Sequence, residues 1–283
     1  MAASYRKEYT MKRYARFLGV LLCFLFLSAC ILPASVFAAQ TEAIDTSTSS
    51  EGYFTVCYRS DCQKMKVAVS FGQATGYYNY TPGETSSYTF SKGDGDYTIT
   101  LYRHLYGNSY TPVASKKVTV NMQDDLAPYR VSTDEITFSA EDAVGLKAAE
   151  LCEGLTDTAS KVIALHNYVA ATLSYDYEFA AGVTSGVIKT YVPNTSKILD
   201  TKKGICYDFS ALFAALCRSQ DIPCALEKGY YYGGYHAWNK VYVDGNWYTL
   251  DLTMASAYRN SDAQALEDCI FHMTADSGYS YSR

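Results

Sequence analysis

The sequence predicts an α+β protein in which helices pack on an antiparallel sheet, preceded by a small β-sandwich. Three observations predict this fold class. Short runs with apolar residues at every second position fill residues 51–122. The period changes to that of helices after Pro128, and alternating runs return after Pro223. Hydrophobic residues make up 48% of the chain and charged residues 19%, which excludes a largely disordered chain.

Residues 1–38 are predicted to be a signal peptide. A basic segment precedes an apolar run at residues 19–32, which is shorter than the ~20 residues that span a bilayer. Val36 and Ala38 are small residues at the −3 and −1 positions of a cleavage site. Alternatively, residues 27–30 resemble a lipoprotein box, which would leave Cys30 lipidated at the new N-terminus. Either cleavage predicts a secreted or cell-surface protein without a stable membrane span.

The length of 283 residues favours two domains. Residues 39–50 are polar and rich in Ser and Thr, so we predict a flexible linker there. An Ig-like β-sandwich is predicted for residues 51–122, because alternating runs are separated by turn sequences. The 28 tyrosines suit half-buried β-surface. After a second linker at residues 123–132, residues 133–283 are predicted to be the second domain.

The first elements of the second domain are predicted to be helices. Ser139 is the candidate N-cap of the first helix, and the second covers residues 157–173. His166 lies beside the apolar stripe of that second helix, so we interpret it as a packed core histidine. A short helix opens at Asn194 or Thr195.

The last readable elements are a long apolar helix and three strands. The helix begins at Cys206 and runs through Arg218, directly after the helix-breaking Gly204. The sequence Asp244-Gly245 is typical of a two-residue hairpin turn. The strands are predicted over residues 224–232, 236–243 and 246–253.

Cys206, His236 and Asp251 are the candidate catalytic residues. Free amides and the positive end of the helix dipole at Cys206 favour its thiolate. If Asp244-Gly245 forms a two-residue turn, His236 and Asp251 become diagonal neighbours on paired strands. A carboxylate could then orient the imidazole while the other ring nitrogen faces the thiol, as acyl-transfer sites require. Taken singly, each residue is better explained by a structural role: Cys206 as half of a disulfide, His236 as a strand residue and Asp251 as a strand-end cap.

These residues lie in motifs that resemble the transglutaminase-like core, a papain-related fold of bacterial secreted proteins. Gly204-Ile-Cys206-Tyr-Asp208-Phe, His236-Ala-Trp238-Asn239 and Leu250-Asp251-Leu-Thr253 carry the resemblance, which runs from about Thr133 to Met254. It implies that Cys206 is the nucleophile, His236 the base and Asp251 its orienter. It also implies an N-terminal β-sandwich module. Calcium-dependent members often stabilise the oxyanion with a tryptophan upstream of the cysteine, but Trp238 and Trp247 both follow Cys206, so the resemblance leaves the second oxyanion donor unassigned.

The sequence therefore predicts an exported enzyme that transfers acyl groups from protein or peptide amides through a thioester. Cell-wall peptides are among the candidate substrates, and either an amine or water could resolve the thioester. The alternative is a surface binding protein that uses the same fold as a scaffold. We predict no cofactor and no required metal, because no acidic cluster after Asp251 has calcium-loop spacing. The net charge of −5 argues against a nucleic-acid partner.

Two further expectations concern the tyrosines and the cysteines. Tyr230, Tyr231, Tyr232 and Tyr235 precede His236 and either line an acyl-substrate cleft or pack as an ordinary strand. Seven of the nine cysteines follow the predicted signal peptide, so at least one thiol is unpaired. If Cys206 is free, the remaining six could pair, with Cys217 as a buried thiol in the alternative. The expected pairs are Cys57–Cys62, Cys217–Cys224 and Cys152–Cys269.

Overall fold

The structure is a computed structural model that describes residues 43–258 and 279–281. The predicted signal peptide, Cys30 and Cys269 lie outside the described residues. Among the helices within the described ranges, none has the length and apolar character needed to cross a membrane.

Two antiparallel sheets come first along the chain. One has the strand order β1-β2-β5 and the other β4-β3-β6-β7. Short 3-10 helices at Ser49–Glu51 and Ala127–Tyr129 flank most of these strands. The strands are β1 (Ile44–Asp45), β2 (Tyr53–Cys57), β3 (Met65–Phe71), β4 (Ala74–Tyr80), β5 (Thr85–Thr89), β6 (Gly95–Tyr106) and β7 (Ser109–Val120).

Buried aromatic rings connect these two sheets. The Phe54 ring on β2 lies 5.0 Å from that of Phe90, which in turn lies 4.8 Å from the ring of Tyr97 on β6. All three side chains are almost fully buried. Edge-on and tilted aromatic pairs of this kind add to the stabilisation that burial alone gives. The period-two pattern predicted strands over residues 51–122, and β2 to β7 lie within that range.

Two predictions for this region are wrong. The flexible linker predicted at residues 39–50 contains β1, where Ile44 is buried and pairs with Val56. Cys57 and Cys62 are free thiols rather than a hairpin disulfide. The loop between them does not close a hairpin, because β2 pairs with β1 and β5 while the following β3 pairs with β4 and β6. The Cys62 Sγ instead contacts the carbonyl oxygens of Lys64 and His104.

The helical core follows. A four-stranded antiparallel sheet has the order β12-β11-β10-β13, and β8 and β9 form a short parallel pair. The helices are α1 (Ala143–Leu151), α2 (Thr158–Thr172), α3 (Tyr177–Thr184), α4 (Thr195–Thr201), α5 (Cys206–Ser219) and α6 (Leu252–Tyr258). The strands are β8 (Ser174–Tyr175), β9 (Lys203–Gly204), β10 (Cys224–Tyr231), β11 (Gly234–Val243), β12 (Asn246–Leu250) and β13 (Tyr279–Tyr281).

Helix α5 occupies the centre of this core. Each residue from 208 to 218 is buried, and the helix packs against α1, α2, β10 and β11. A helix that is apolar on all sides belongs in an interior of this kind.

Aspartates cap the neighbouring helices. Asp142, not the predicted Ser139, accepts the N–H groups of Val144 and Gly145 at the start of α1.

Three further sequence interpretations concern buried residues of this core. His166 is 1% exposed and packs edge-on against Phe213, which confirms a core histidine. Burial lowers the pKa of its imidazole. Cys217 and Cys224 are buried free thiols in hydrogen-bond contact, so the predicted bridge is absent and the buried-thiol alternative describes them. Burial raises the pKa of the Cys217 thiol well above its usual value.

Candidate active site

Cys206 is the first residue of α5, and its side chain is partly exposed. Asp208, in the first turn of the helix, accepts the Ile205 N–H at 2.7 Å and the Tyr191 hydroxyl at 2.5 Å. The carboxylate therefore satisfies the N–H just before the helix, and its charge complements the positive end of the helix dipole. Burial raises the pKa of Asp208, while these two hydrogen bonds oppose the rise.

Gly204 is required by the close approach of Asp208. A Cβ atom on residue 204 would lie 2.4 Å from the Cβ of Asp208 and 2.8 Å from its Cγ. The strand β9 that carries Gly204 also pairs with β8. The glycine before Cys206 thus has a packing role, because it lets the chain turn tightly from β9 into α5.

His236 lies on β11, in a hairpin with β12 that has the register the sequence predicts. Asp244 and Gly245 both have positive φ angles, of 48° and 88°, which a type I′ two-residue turn requires. Asn239 consequently pairs with Leu250. Strand β12 ends there, so Asp251 is the first residue after the strand and precedes α6.

Asp251 contacts both His236 and the next helix. Its Oδ2 lies 2.7 Å from Nε2 of His236. Its Oδ1 accepts the backbone N–H groups of Thr253 and Met254, each at 3.1 Å, as an N-cap side chain does. The carboxylate is fully buried and the His236 side chain is 14% exposed. The helix cap therefore fixes the carboxylate, and the carboxylate fixes the imidazole.

Nδ1 of His236 is the ring nitrogen left to face the thiol of Cys206. Burial lowers the pKa of the imidazole, but hydrogen bonds to Asp251 and Cys206 and their charges raise it, to about 9 overall. The ring of Tyr231 lies 5.7 Å from the imidazole and that of Trp238 6.3 Å, so aromatic faces support its position. At neutral pH the side chain is consequently the doubly protonated, positively charged imidazolium.

Asn239 joins the strand of His236 to the helix of Cys206. Its Nδ2 donates to the carbonyl oxygens of Ser210 at 3.0 Å and Ala225 at 3.1 Å. The asparagine is fully buried, where an unmade hydrogen bond would be costly. These bonds hold the first turns of α5 against β10 and β11, which brings Cys206 beside His236.

The structure brings Cys206, His236 and Asp251 together. Asn239 lies within a sequence motif that indicates no role for it, and no sequence pattern marks Tyr175 or Tyr191. Both tyrosines lie upstream of Cys206. Tyr175 is paired with Gly204 in the β8–β9 contact, and Tyr191 donates a hydrogen bond to Asp208. No local period or turn signal in the sequence connects those segments.

A match to a known protein family covers the part of the chain that holds these residues. Residues 147–252 match the family model described as the transglutaminase-like superfamily, and this range contains all three candidate residues. The chain carries a transglutaminase-like superfamily domain. The match confirms the predicted transglutaminase-like fold, with N-terminal strands preceding mixed helices and antiparallel sheets.

Curated relatives and a solved structure resemble parts of this chain. The kyphoscoliosis peptidase of Mus musculus is 31% identical over 108 residues, and that of Homo sapiens 37% over 71 residues. These matches cover 34% and 21% of this chain but only 16% and 11% of the relatives. A crystal structure of a candidate cysteine protease from Cytophaga hutchinsonii aligns with 71% of each chain, at 20% identity and a TM-score of 0.40.

The raised His236 pKa predicts a pH-dependent stability of the transglutaminase-like domain. The folded imidazole has a pKa of about 9, above its unfolded value of 6.5, so folding is favoured by proton uptake. This stabilisation is fully present below about pH 6.5 and is lost as the pH rises through 9. Urea unfolding at pH 6, 7.5 and 9 should show a steeper loss in the wild type than in His236→Gln. Parallel pH profiles of the two proteins would contradict the assignment.

Proposed function

We propose that this protein is an exported, cysteine-dependent acyl-transfer enzyme that acts on protein or peptide amides. The contact of His236 with both Asp251 and Cys206 is the observation that carries the proposal. The signal-peptide pattern of residues 1–38 supports secretion or attachment at the cell surface. Cell-wall peptides are among the substrates to be tested, and neither a metal nor a cofactor takes part in the proposed reaction.

The reaction follows from the positions of the three side chains. The Cys206 sulfur attacks the amide carbonyl carbon, so that a C–S bond forms and the carbonyl electron pair moves to oxygen. The C–N bond then breaks and His236 gives its proton to the departing amine, leaving a thioester on Cys206. Water or a second amine next gives a proton to His236, attacks the thioester and releases the sulfur. Asp251 orients His236 through both steps.

Alkylation by iodoacetamide tests the proposal directly. We expect Cys206 to alkylate rapidly near neutral pH, and His236→Ala to slow this reaction by about tenfold or more. Peptide mapping by mass spectrometry distinguishes Cys206 from the partly exposed Cys57 and Cys62. His104→Ala is the matched control, because His104 lies on β6 and binds the carbonyl oxygen of Gly107. An unreactive Cys206 in the native protein would instead favour a non-catalytic scaffold.

The tyrosine-rich hairpin between β10 and β11 supports a peptide substrate. Its turn is formed by Tyr232 and Gly233, whose φ angles are 46° and 84°. Tyr230, Tyr232 and Tyr235 are 45%, 79% and 63% exposed, although large apolar rings usually find cover. Because Tyr231 of the same hairpin contacts His236, the exposed rings lie on the element that borders the reactive groups. We propose that they contact the acyl substrate.

Substitution of Tyr235 should change substrate discrimination more than the chemistry. We expect Tyr235→Ala to alter the relative turnover of Gln-containing, Asn-containing and peptidoglycan-derived peptides, while iodoacetamide still alkylates Cys206 at the wild-type rate. Product analysis by mass spectrometry of the same panel shows whether water or an amine resolves the thioester. Tyr77→Ala is the matched control, since Tyr77 is 64% exposed on β4. Unchanged relative turnover in Tyr235→Ala would show that the hairpin does not contact the acyl substrate and packs as an ordinary strand.

A further inference from the structure

Tyr175 is held directly beside the segment that leads into Cys206. Its Cα pairs with that of Gly204 in the parallel contact between β8 and β9. Backbone bonds on both sides fix this pairing, from Ser174 N–H to the Lys202 oxygen at 2.9 Å and from Asp176 N–H to the Gly204 oxygen at 2.8 Å. Tyr175 is thus placed by backbone hydrogen bonds and not by a mobile loop.

The side chain of Tyr175 reaches the first backbone amide of α5. Its hydroxyl oxygen accepts a hydrogen bond from the N–H of Cys206. The ring is partly buried against the core and contacts the rings of Tyr177, at 5.0 Å, and Phe209, at 6.4 Å. Burial, followed by the charge of Cys206, raises the pKa of this phenol to about 12. The hydroxyl therefore keeps its proton at neutral pH and has it available to donate.

We propose that the Tyr175 hydroxyl is a catalytic hydrogen-bond donor which, with the backbone N–H of Cys206, binds the oxyanion formed during acyl transfer. The inference rests on the proposed function and names the second donor that this reaction needs. An oxyanion hole requires preorganised donors close to the attacking sulfur. The Tyr175 phenol meets that requirement because its oxygen is already hydrogen-bonded to the backbone N–H of Cys206, the residue that carries the sulfur.

The role of the two donors follows from the charge that develops. When the Cys206 sulfur bonds to the carbonyl carbon, the π electron pair of the C=O bond becomes a full negative charge on oxygen. The Tyr175 O–H and the Cys206 N–H donate to that oxygen. When the C=O bond re-forms and the leaving group departs, the charge disappears and the two groups return to their mutual hydrogen bond. Their contribution is therefore larger in the transition state than before or after it.

Two small reagents separate this role from a structural one. Acylation of Cys206 by p-nitrophenyl acetate passes through an oxyanion, because the sulfur attacks a carbonyl and p-nitrophenolate then leaves. Alkylation by iodoacetamide displaces iodide at a CH₂ carbon and forms no oxyanion. We expect Tyr175→Phe, which retains the ring contacts, to slow acylation by about tenfold or more and to leave alkylation within about twofold. Peptide turnover should lose kcat with little change in KM.

Matched variants make the outcome decisive. Tyr177→Phe removes the hydroxyl of a neighbouring tyrosine that is 80% exposed, and it should leave both rates unchanged. Cys206→Ala supplies the background from the other thiols. Equal acylation rates in Tyr175→Phe and the wild type, or a parallel fall of acylation and alkylation, would overturn the inference while the proposed function stands. A wild-type Cys206 that neither reagent modifies faster than a thiol of the urea-unfolded chain would overturn both.

Discussion

An Asp251→Asn protein is expected to fold but to lose turnover by a factor on the order of 10⁴. Asp251 meets two demands at once, since Oδ2 binds Nε2 of His236 and Oδ1 accepts the N–H groups of Thr253 and Met254. An amide has only one acceptor oxygen. If that oxygen caps α6, the NH₂ group faces His236 and forces the ring proton onto Nδ1, the nitrogen needed by the thiol. If the amide is reversed, the helix cap is lost instead.

The effect on folding should be much smaller than the effect on turnover. Asparagine is as good an N-cap as aspartate, so at about pH 9, where protonation of His236 no longer adds stability, the variant that retains the cap should unfold within about 1 kcal/mol of the wild type. Asp244→Asn is the matched control, because it makes the same change in the turn of the same hairpin, where asparagine tolerates the positive φ of 48°. Turnover of the peptide panel and urea unfolding are the two measurements. Wild-type turnover in Asp251→Asn would contradict the orienting role.

Local rules were enough to place Cys206, His236 and Asp251, the three candidate side chains, close together. The glycine before Cys206 marked the start of a helix, and Asp244-Gly245 determined the register that places Asp251 beside His236. Both inferences depend on contacts between residues that are close in sequence. Helices α1, α2, α4 and α5 and strands β10 to β12 followed in the same way, from periodicity and turn residues, whereas α3 and α6 were not predicted.

Contacts between distant segments could not be predicted by those rules. The four-residue loop between Cys57 and Cys62 has the length of a hairpin loop. It instead connects two different sheets, because the following strand β3 pairs with β4 and β6. Nothing near Tyr175 or Tyr191 in the sequence indicates that their hydroxyls reach Cys206 and Asp208. The N-cap residue of α1 could not be chosen from the sequence either. Ser139 and Asp142 hydrogen-bond each other, but only Asp142 accepts the N–H groups of the helix.

Gly204→Ala should destabilise the folded protein and at the same time displace Cys206, the proposed nucleophile. The added methyl group would lie 2.4 Å from the Cβ of Asp208, and Asp208 cannot move away without weakening its bonds to Ile205 and Tyr191. Overpacking and two weakened buried hydrogen bonds together should cost about 2–5 kcal/mol. Because Cys206 is two residues away, a shift of β9 or of the helix start by about 1 Å should also lower turnover by about 10²-fold.

Urea unfolding and alkylation of Cys206, both compared with Gly234→Ala, test this prediction. Gly234 begins β11, and a Cβ there would meet only the Tyr231 carbonyl oxygen at an ordinary 3.6 Å. The control therefore makes the same chemical change near the site without a clash, and its unfolding midpoint should stay close to that of the wild type. If Gly204→Ala were equally stable and its Cys206 equally reactive, the close approach of Asp208 would not be what positions the cysteine. A stable protein with slow alkylation would place the strain at the start of α5 alone.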